Sequence, residues 1–217
     1  MIFACCHTAI SPDSQVALTL RTVGGFSVGE IASAFLSNEE TIANMLTRAK
    51  QKLRQQNIGL EMASPKKINS RLEAVIKILY LMFNEGYNAL NGEKLIRNDL
   101  CFEAIRLGKL LADHPLTNLP KIHALLALFY FQGARINARF DENGDIVVLS
   151  EQNRDIWNKQ MIAAGLHHFK LSASGNEVSD YHLEAEIASV HTLAKDFAST
   201  DWQRILKCYV TLSERSS

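Results

Sequence analysis

The spacing of apolar residues in the first quarter of the chain predicts three short helices with breaks between them. These predicted helices cover residues 12–22, 28–35 and 39–56. Ser11 before Pro12 fits an N-cap, and Ser27 with Glu30 fits a capping box. The third segment carries one apolar stripe: Ile42, Met45, Leu46, Ala49 and Leu53. A short helix, a tight turn and a longer helix form the helix-turn-helix pattern.

The rest of the chain also has helical periodicity. The helices expected there cover residues 70–83, 100–111, 122–134, 152–170, 180–196 and 201–213. Asn69 or Ser70 is expected to cap the first of them. The segment 122–134 is apolar on all sides, which favours a central position. Only residues 138–149 change period, and Asn143-Gly144 there predicts a small β-hairpin.

A break at 59–67 separates the two parts, so two domains are expected, residues 1–67 and 68–217. The predicted fold class is all-α. A helix-turn-helix domain of the winged-helix-like kind precedes a helical domain of αα-hairpins, similar to TPR arrays, with one β-hairpin. No clean repeat of 34 residues is present.

The third predicted helix has a polar face opposite its apolar stripe. That face contains Glu40, Ala43, Asn44, Thr47, Arg48 and Gln51. Asn44 could read adenine, and Arg48 could read guanine or hold a phosphate in a major groove. Lys50, Lys52 and Arg54 would flank the DNA backbone. The alternative is a three-helix structural subdomain whose third helix carries a solvated basic face.

Three sequence motifs resemble region four of bacterial RNA polymerase sigma factors of the extracytoplasmic-function type. The motifs are Leu18-Thr19-Leu20-Arg21, Gly25-Phe26-Ser27-Val28-Gly29-Glu30-Ile31-Ala32 and the run from Thr41 to Leu53. The resemblance is ungapped over residues 18–53. The segments 80–87 and 97–107 resemble the subgroup with a long C-terminal helical extension.

This resemblance implies promoter DNA at a −35 element and RNA polymerase core as partners, with a regulatory protein possible at the C-terminal domain. It implies no enzymatic activity, cofactor or metal. The residues expected to bind DNA are Arg21, Ser27, Glu40, Thr41, Asn44, Thr47, Arg48, Gln51 and Lys52. Met45 stands where the family usually has arginine, so one contact is expected to be missing. Region two would precede residue 1, so we expect a sigma-factor fragment that docks on promoter DNA without initiating transcription alone.

Charge adds an asymmetry to this picture. Lys+Arg and Asp+Glu both total 23, which argues against a nonspecific coat on nucleic acid. Residues 1–67 nevertheless carry seven basic and five acidic side chains, leaving the remainder slightly acidic. No apolar run is long enough for a membrane span, and the four cysteines do not form a secreted framework. The sequence therefore predicts a cytoplasmic protein with no membrane partner.

Three other clusters could carry chemistry. Cys5-Cys6-His7 could bind metal or sense redox state, but buried packing thiols are the favoured interpretation. His182, Glu186 and His191 lack zinc-protease spacing, so a solvated helix face is expected. The segment 84–87 could form a substrate pocket, although a helix end with Gly86 in the left-handed conformation and Glu85 paired to Arg97 or Arg106 is favoured.

Two further functions stay open at this point. Residues 68–217 could form a protein-interaction scaffold that buries an autoinhibited or vestigial helix-turn-helix. A small-molecule enzyme in the helical domain is the third possibility, but the sequence has no nucleophile–base pair and no glycine-rich phosphate loop to support it.

Overall fold

The computed structural model describes residues 2–58, 65–88 and 98–216, which contain ten α-helices. The first six are α1 (Ile2–Cys5), α2 (Pro12–Thr22), α3 (Val28–Ala34), α4 (Glu39–Gln55), α5 (Pro65–Asn88) and α6 (Asn98–Asp113). The last four are α7 (Pro120–Gly133), α8 (Lys159–Ser172), α9 (Asp180–Leu193) and α10 (Trp202–Ser216). The all-α class is confirmed.

The caps predicted for α2 and α3 are present, and Asn38 caps α4. Ser11 Oγ accepts from the Ser14 backbone N–H, and Asn38 Oδ1 accepts from the Thr41 N–H at 2.8 Å. Ser27 and Glu30 form the reciprocal capping box at the start of α3. These side chains satisfy backbone donors that a helix leaves unpaired in its first turn, which fixes where α2, α3 and α4 begin.

Two compact units divide the chain, and their boundary differs from the expected one at residue 67. Residues 1–107 and 113–117 form unit 1, and residues 108–112 and 118–217 form unit 2. Unit 1 extends past residue 67 because α5 packs on α1, α2 and α3. The apolar stripe of α5 is buried: Leu72, Val75, Ile76, Leu79 and Phe83.

Polar contacts reinforce the packing of α5 in unit 1. The buried Arg71 donates from Nη1 to the Phe3 carbonyl at 2.6 Å, which joins α5 to α1. Lys77 Nζ lies 3.1 Å from Asp13 Oδ1 on α2 and 5.6 Å from the ring centroid of Phe35. α5, which the sequence analysis places in the second domain, therefore packs against the helix-turn-helix and stabilises it.

The bounds of α5 correct two expectations. The helix begins at Pro65, so Asn69 and Ser70 lie inside it and neither is its cap. It continues to Asn88, so Gly86 is a buried helical residue and does not end the helix in the left-handed conformation. Phe83 and Tyr87, which lie on either side of Gly86 in the sequence, stack with their ring centroids 5.7 Å apart. This contact between side chains one turn apart is consistent with a helix that continues through the glycine.

Unit 2 is organised around α7, as the sequence predicts. Ten of its residues are buried, and it packs against α8 and α9. α9 in turn packs on α10 through Leu183, Ile187, Val190, Ile205 and Cys208. Two exposed ion pairs, Arg204–Glu186 at 2.6 Å and Arg215–Asp180 at 3.0 Å, also join these two helices.

The connection from α7 to α8 differs from the sequence prediction. The expected hairpin is reduced to one antiparallel bridge between Phe140 and Ile146. The Asp141 side chain accepts from two loop N–H groups, and Gly144 has a φ of 85°, but Asn143 lacks the positive φ of a type I′ turn. The following helix begins at Lys159 and not near 152, because Asn158 caps it.

Among the described residues, no helix is both long and apolar enough to cross a bilayer.

Gly165 is expected to be intolerant of a side chain. A Cβ at this helical position would lie 2.8 Å from Cδ1 and Cε1 of the fully buried Phe131. Alanine normally stabilises a helix by up to about 1 kcal/mol relative to glycine. Here overpacking outweighs that gain, so Gly165→Ala should lower the free energy of unfolding by about 1–2 kcal/mol in urea denaturation.

Gly29→Ala, in α3, is the matched control, because the nearest contact of its Cβ would be Oε1 of the exposed Glu39 side chain at 3.0 Å, which is free to move. It should cost less than Gly165→Ala. Equal losses for the two variants would contradict the role assigned to the Phe131 ring.

His182 should make stability depend on pH. Its Nδ1 accepts from the Ser179 N–H at 3.0 Å, and its Nε2 faces the Ser172 carbonyl at 3.2 Å. These contacts fit the neutral form of the ring in the folded state. Burial lowers the pKa of His182 below its unfolded value of 6.5. The folded state therefore binds fewer protons, and its contribution is lost as pH falls below about 6.5. His182→Gln should flatten the stability-versus-pH curve from chemical denaturation between about pH 7 and 5. A variant curve as steep as that of the wild type would contradict this role of His182.

Candidate nucleic-acid interface

α4 presents one buried face and one exposed face. Ile42, Leu46 and Ala49 are buried against the rest of unit 1, where α4 packs on α2 and α3. Met45 and Leu53, at the edges of the predicted stripe, are half-buried. Every α4 residue expected to bind DNA is exposed: Glu40, Thr41, Asn44, Thr47, Arg48, Gln51 and Lys52. The structure therefore brings these seven onto one helix with their side chains accessible.

The polar groups on this exposed face are mostly uncommitted. Within the described part of the chain, Asn44, Arg48, Gln51 and Lys52 have no side-chain hydrogen bond or ion pair. Thr47 donates from Oγ1 to the Ala43 carbonyl of its own helix at 2.8 Å. A ligand could bind the four uncommitted side chains without breaking a contact inside the protein.

Arg21 and Ser27 occupy a different place from the other predicted site residues. Arg21 is exposed at the end of α2, and its Nη1 donates to the Phe26 carbonyl at 2.7 Å. Ser27 accepts from the Glu30 N–H at 3.1 Å as the cap of α3. Both residues thus shape the loop between α2 and α3, where Gly25 has a φ of 70°.

Charge along α4 follows the helix dipole. Glu39 and Glu40 lie in its first turn, while Lys52 and Arg54 lie in its last. This arrangement stabilises the isolated helix. It also places the exposed basic side chains, from Arg48 onward, in the C-terminal half of α4. A phosphate backbone would therefore be attracted to that half of the helix.

The turn between α3 and α4 contains a strained residue that the sequence analysis did not single out. Leu36 has a φ of 49° and is 97% exposed. Glycine adopts this left-handed conformation without a Cβ penalty, whereas leucine does not. No signal in the sequence marks this conformation, because leucine rarely adopts a positive φ.

The Cys5-Cys6-His7 and His182–Glu186–His191 clusters do not form a comparable site, and Arg97, one expected partner of Glu85 in the segment 84–87, lies outside the described residues. Cys5 and Cys6 are buried, and burial raises the pKa of the Cys6 thiol to about 11, which leaves it protonated and unreactive near neutral pH. His182, Glu186 and His191 are half-buried, not solvated as expected, because α9 packs against its neighbours on this side. In the described ranges, no group of three or more His, Cys, Asp or Glu is arranged to hold a metal ion.

Comparison with known protein families identifies the segment that carries α4. Residues 1–53 match the family Sigma-70, region 4. This is a sigma-factor-like, DNA-binding type of domain. Residues 71–173 match a family of unknown function, DUF6596. Unit 1 contains the first matched segment and the start of the second, since α5 lies in the second segment from Arg71 onward and packs on helices of the first.

A curated relative extends the similarity to nearly the whole chain. An uncharacterized protein of Rhizobium meliloti (strain 1021) is 38% identical over 212 residues, which is 98% of this chain. The chain spans 50% of that relative's length. No solved structure gives a significant match.

Replacing Leu36 with glycine should stabilise unit 1. Relief of the left-handed strain is worth about 1 kcal/mol, and almost no buried surface is lost because the side chain is 97% exposed. Leu36→Gly should therefore raise the free energy of unfolding in urea denaturation followed by circular dichroism. Leu36→Ala keeps the strain and is the control; a stabilisation by alanine as large as that by glycine would contradict this explanation.

Proposed function

We propose that this chain contains the −35-reading region of an extracytoplasmic-function sigma factor, acting in the cytoplasm. The proposal rests on the exposed polar face of α4. Asn44, Arg48 and Gln51 are exposed and uncommitted, directly opposite the buried stripe that holds α4 in a sigma-70 region 4 match. Free amide and guanidinium groups on an anchored helix are the groups that read base edges.

In this proposal, α4 enters the major groove with its exposed face. The groove is about 12 Å wide and admits one α-helix. Asn44 donates to and accepts from an adenine edge, and Arg48 donates to a guanine edge or a phosphate. Lys50, Lys52 and Arg54 hold the phosphate backbone, while Arg21 and Ser27 position the loop before α3 and offer further donors to phosphate.

Glu40 and the threonines complete the proposed interface. Glu40 lies at the N-terminal end of α4, where it can accept from a cytosine amino group and would repel a phosphate. Thr41 and Thr47 are exposed on the same helix and can contact bases or backbone. The absence of arginine at Met45, which is half-buried, removes one basic contact from this surface.

The proposal extends to partners of the domain. RNA polymerase core is the second expected partner, because sigma-70 region 4 domains in general act with the polymerase at promoters. The helical extension would regulate this region or bind a regulatory protein. We assign no catalytic residue, cofactor or metal.

Substitutions on α4 should separate base contacts from phosphate contacts. A duplex selected from a randomised pool by the wild-type chain provides the target. Arg48→Ala and Asn44→Ala should each weaken binding by about 10-fold or more and relax preference at one base pair. Lys52→Ala should weaken all duplexes alike and reduce the salt slope by about one unit. Fluorescence anisotropy from about 50 to 200 mM salt measures both effects.

Lys207→Ala is the matched control, since it removes one exposed positive charge from α10. Its affinity should stay within about twofold of wild type. The DNA-binding proposal would be contradicted if wild-type binding showed no salt dependence. It would also be contradicted if wild type, Arg48→Ala and Asn44→Ala bound with the same affinity.

A further inference from the structure

Unit 2 contains a cavity that the DNA-binding proposal does not use. Residues of α7, α9, α10 and the loop before α8 line it, and its volume is about 400 Å³. Leu149, Ile187 and Leu212 form an apolar wall. Gln132, Arg135 and His191 contribute polar groups. A concave apolar space of this size with a few convergent polar groups is typical of small-molecule sites.

Two of the polar groups make no side-chain hydrogen bond to the residues that the structure describes. His191 Nδ1 is buried and, within the described residues, has no hydrogen bond. The side-chain amide of Gln132 likewise makes no hydrogen bond to any part of the chain that the structure describes. Buried polar atoms normally have a hydrogen-bond partner. A buried atom without one beside a cavity, such as His191 Nδ1, therefore indicates that a ligand or a water supplies the missing hydrogen bond.

The His191 side of the cavity has positive electrostatic character. Arg135 lines the cavity, and Arg154 donates from Nη1 to the His191 carbonyl at 2.8 Å. Burial, followed by the charges of these two guanidinium groups, lowers the pKa of His191. The ring is therefore neutral near pH 7 and can carry its proton on Nδ1, as a donor.

The groups facing the cavity at this end are therefore mainly donors. The Arg135 guanidinium, the Gln132 amide and the neutral His191 ring can all donate to one acceptor. A carboxylate accepts several such hydrogen bonds and is stabilised by a guanidinium. Glu184 also lines the cavity, and its negative charge disfavours ligands that carry a second anionic group.

We propose that this cavity binds a small monocarboxylic acid with an apolar body. The carboxylate lies against Arg135, Gln132 and His191, and the apolar body packs between Ile187 and Leu212. Tyr209, at the exposed side of the cavity, covers the ligand. Binding here would make unit 2 a ligand-responsive domain in addition to any role in contacting a protein.

Titration of the full chain with defined probes tests this assignment. The probes are benzoate and hexanoate, with benzamide as the neutral control and phthalate as the dianionic control. Binding is followed by backbone amide shifts in ¹H–¹⁵N spectra and by tryptophan fluorescence, because the Trp202 ring centroid lies 5.4 Å from that of His191. Benzoate or hexanoate should give saturable shifts centred on the cavity, with at least about fivefold higher affinity than benzamide and phthalate.

Variants locate the site independently. Ala188→Leu puts bulk into the cavity, and Arg135→Gln removes its guanidinium; each should weaken binding of the monocarboxylate at least about fivefold. Ala163→Leu and Lys170→Gln, on the exposed side of α8, are the matched controls and should bind like wild type.

Three results would overturn the proposal. One is that neither monocarboxylate shifts the cavity resonances of the wild-type chain. Another is that benzamide binds as well as benzoate, which would remove carboxylate recognition. The third is that Ala188→Leu binds as tightly as Ala163→Leu. The wild-type comparison needs no variant to fold, and the DNA-binding measurements are independent of all three outcomes.

Discussion

The burial of Ile42, Leu46 and Ala49 is the interaction on which the orientation of α4 in unit 1 depends. These side chains attach α4 to α2 and α3, and because an α-helix has a fixed rotation per residue, they also fix which side chains face outward. A rotation of α4 by one residue would bury Arg48 or Lys50, depending on its direction, and expose an apolar stripe. The cost of burying an unpaired guanidinium or ammonium group makes that alternative unfavourable.

α5 makes this arrangement part of a larger unit. Its buried stripe lies against α2, and Arg71 and Lys77 add polar contacts to α1 and α2. The helix therefore joins a segment that matches Sigma-70, region 4 to one that matches DUF6596. Because one hydrophobic core includes residues from both segments, the stability of the first depends on the second.

Much of this fold was predictable from local signals. The starts of α2, α3 and α4 follow from Ser11, Ser27 and Asn38, whose side chains satisfy backbone N–H groups within three residues. The central position of α7 follows from its apolar residues on every side. The structure differs from the sequence prediction where local signals are weak or are overridden by packing. Gly86 was expected to end α5 but is helical, because tertiary packing outweighs a propensity difference of about 1 kcal/mol.

The sequence by itself determined the all-α class, the helix-turn-helix and the chemistry of the exposed face of α4, because capping and periodicity act over a few residues. Tertiary structure decided what no local pattern encodes: the membership of α5 in unit 1, the positive φ of Leu36, and the cavity that brings together Gln132, His191 and Leu212. These features arise from contacts between residues far apart in the chain. Such contacts form only when buried surfaces are matched in three dimensions.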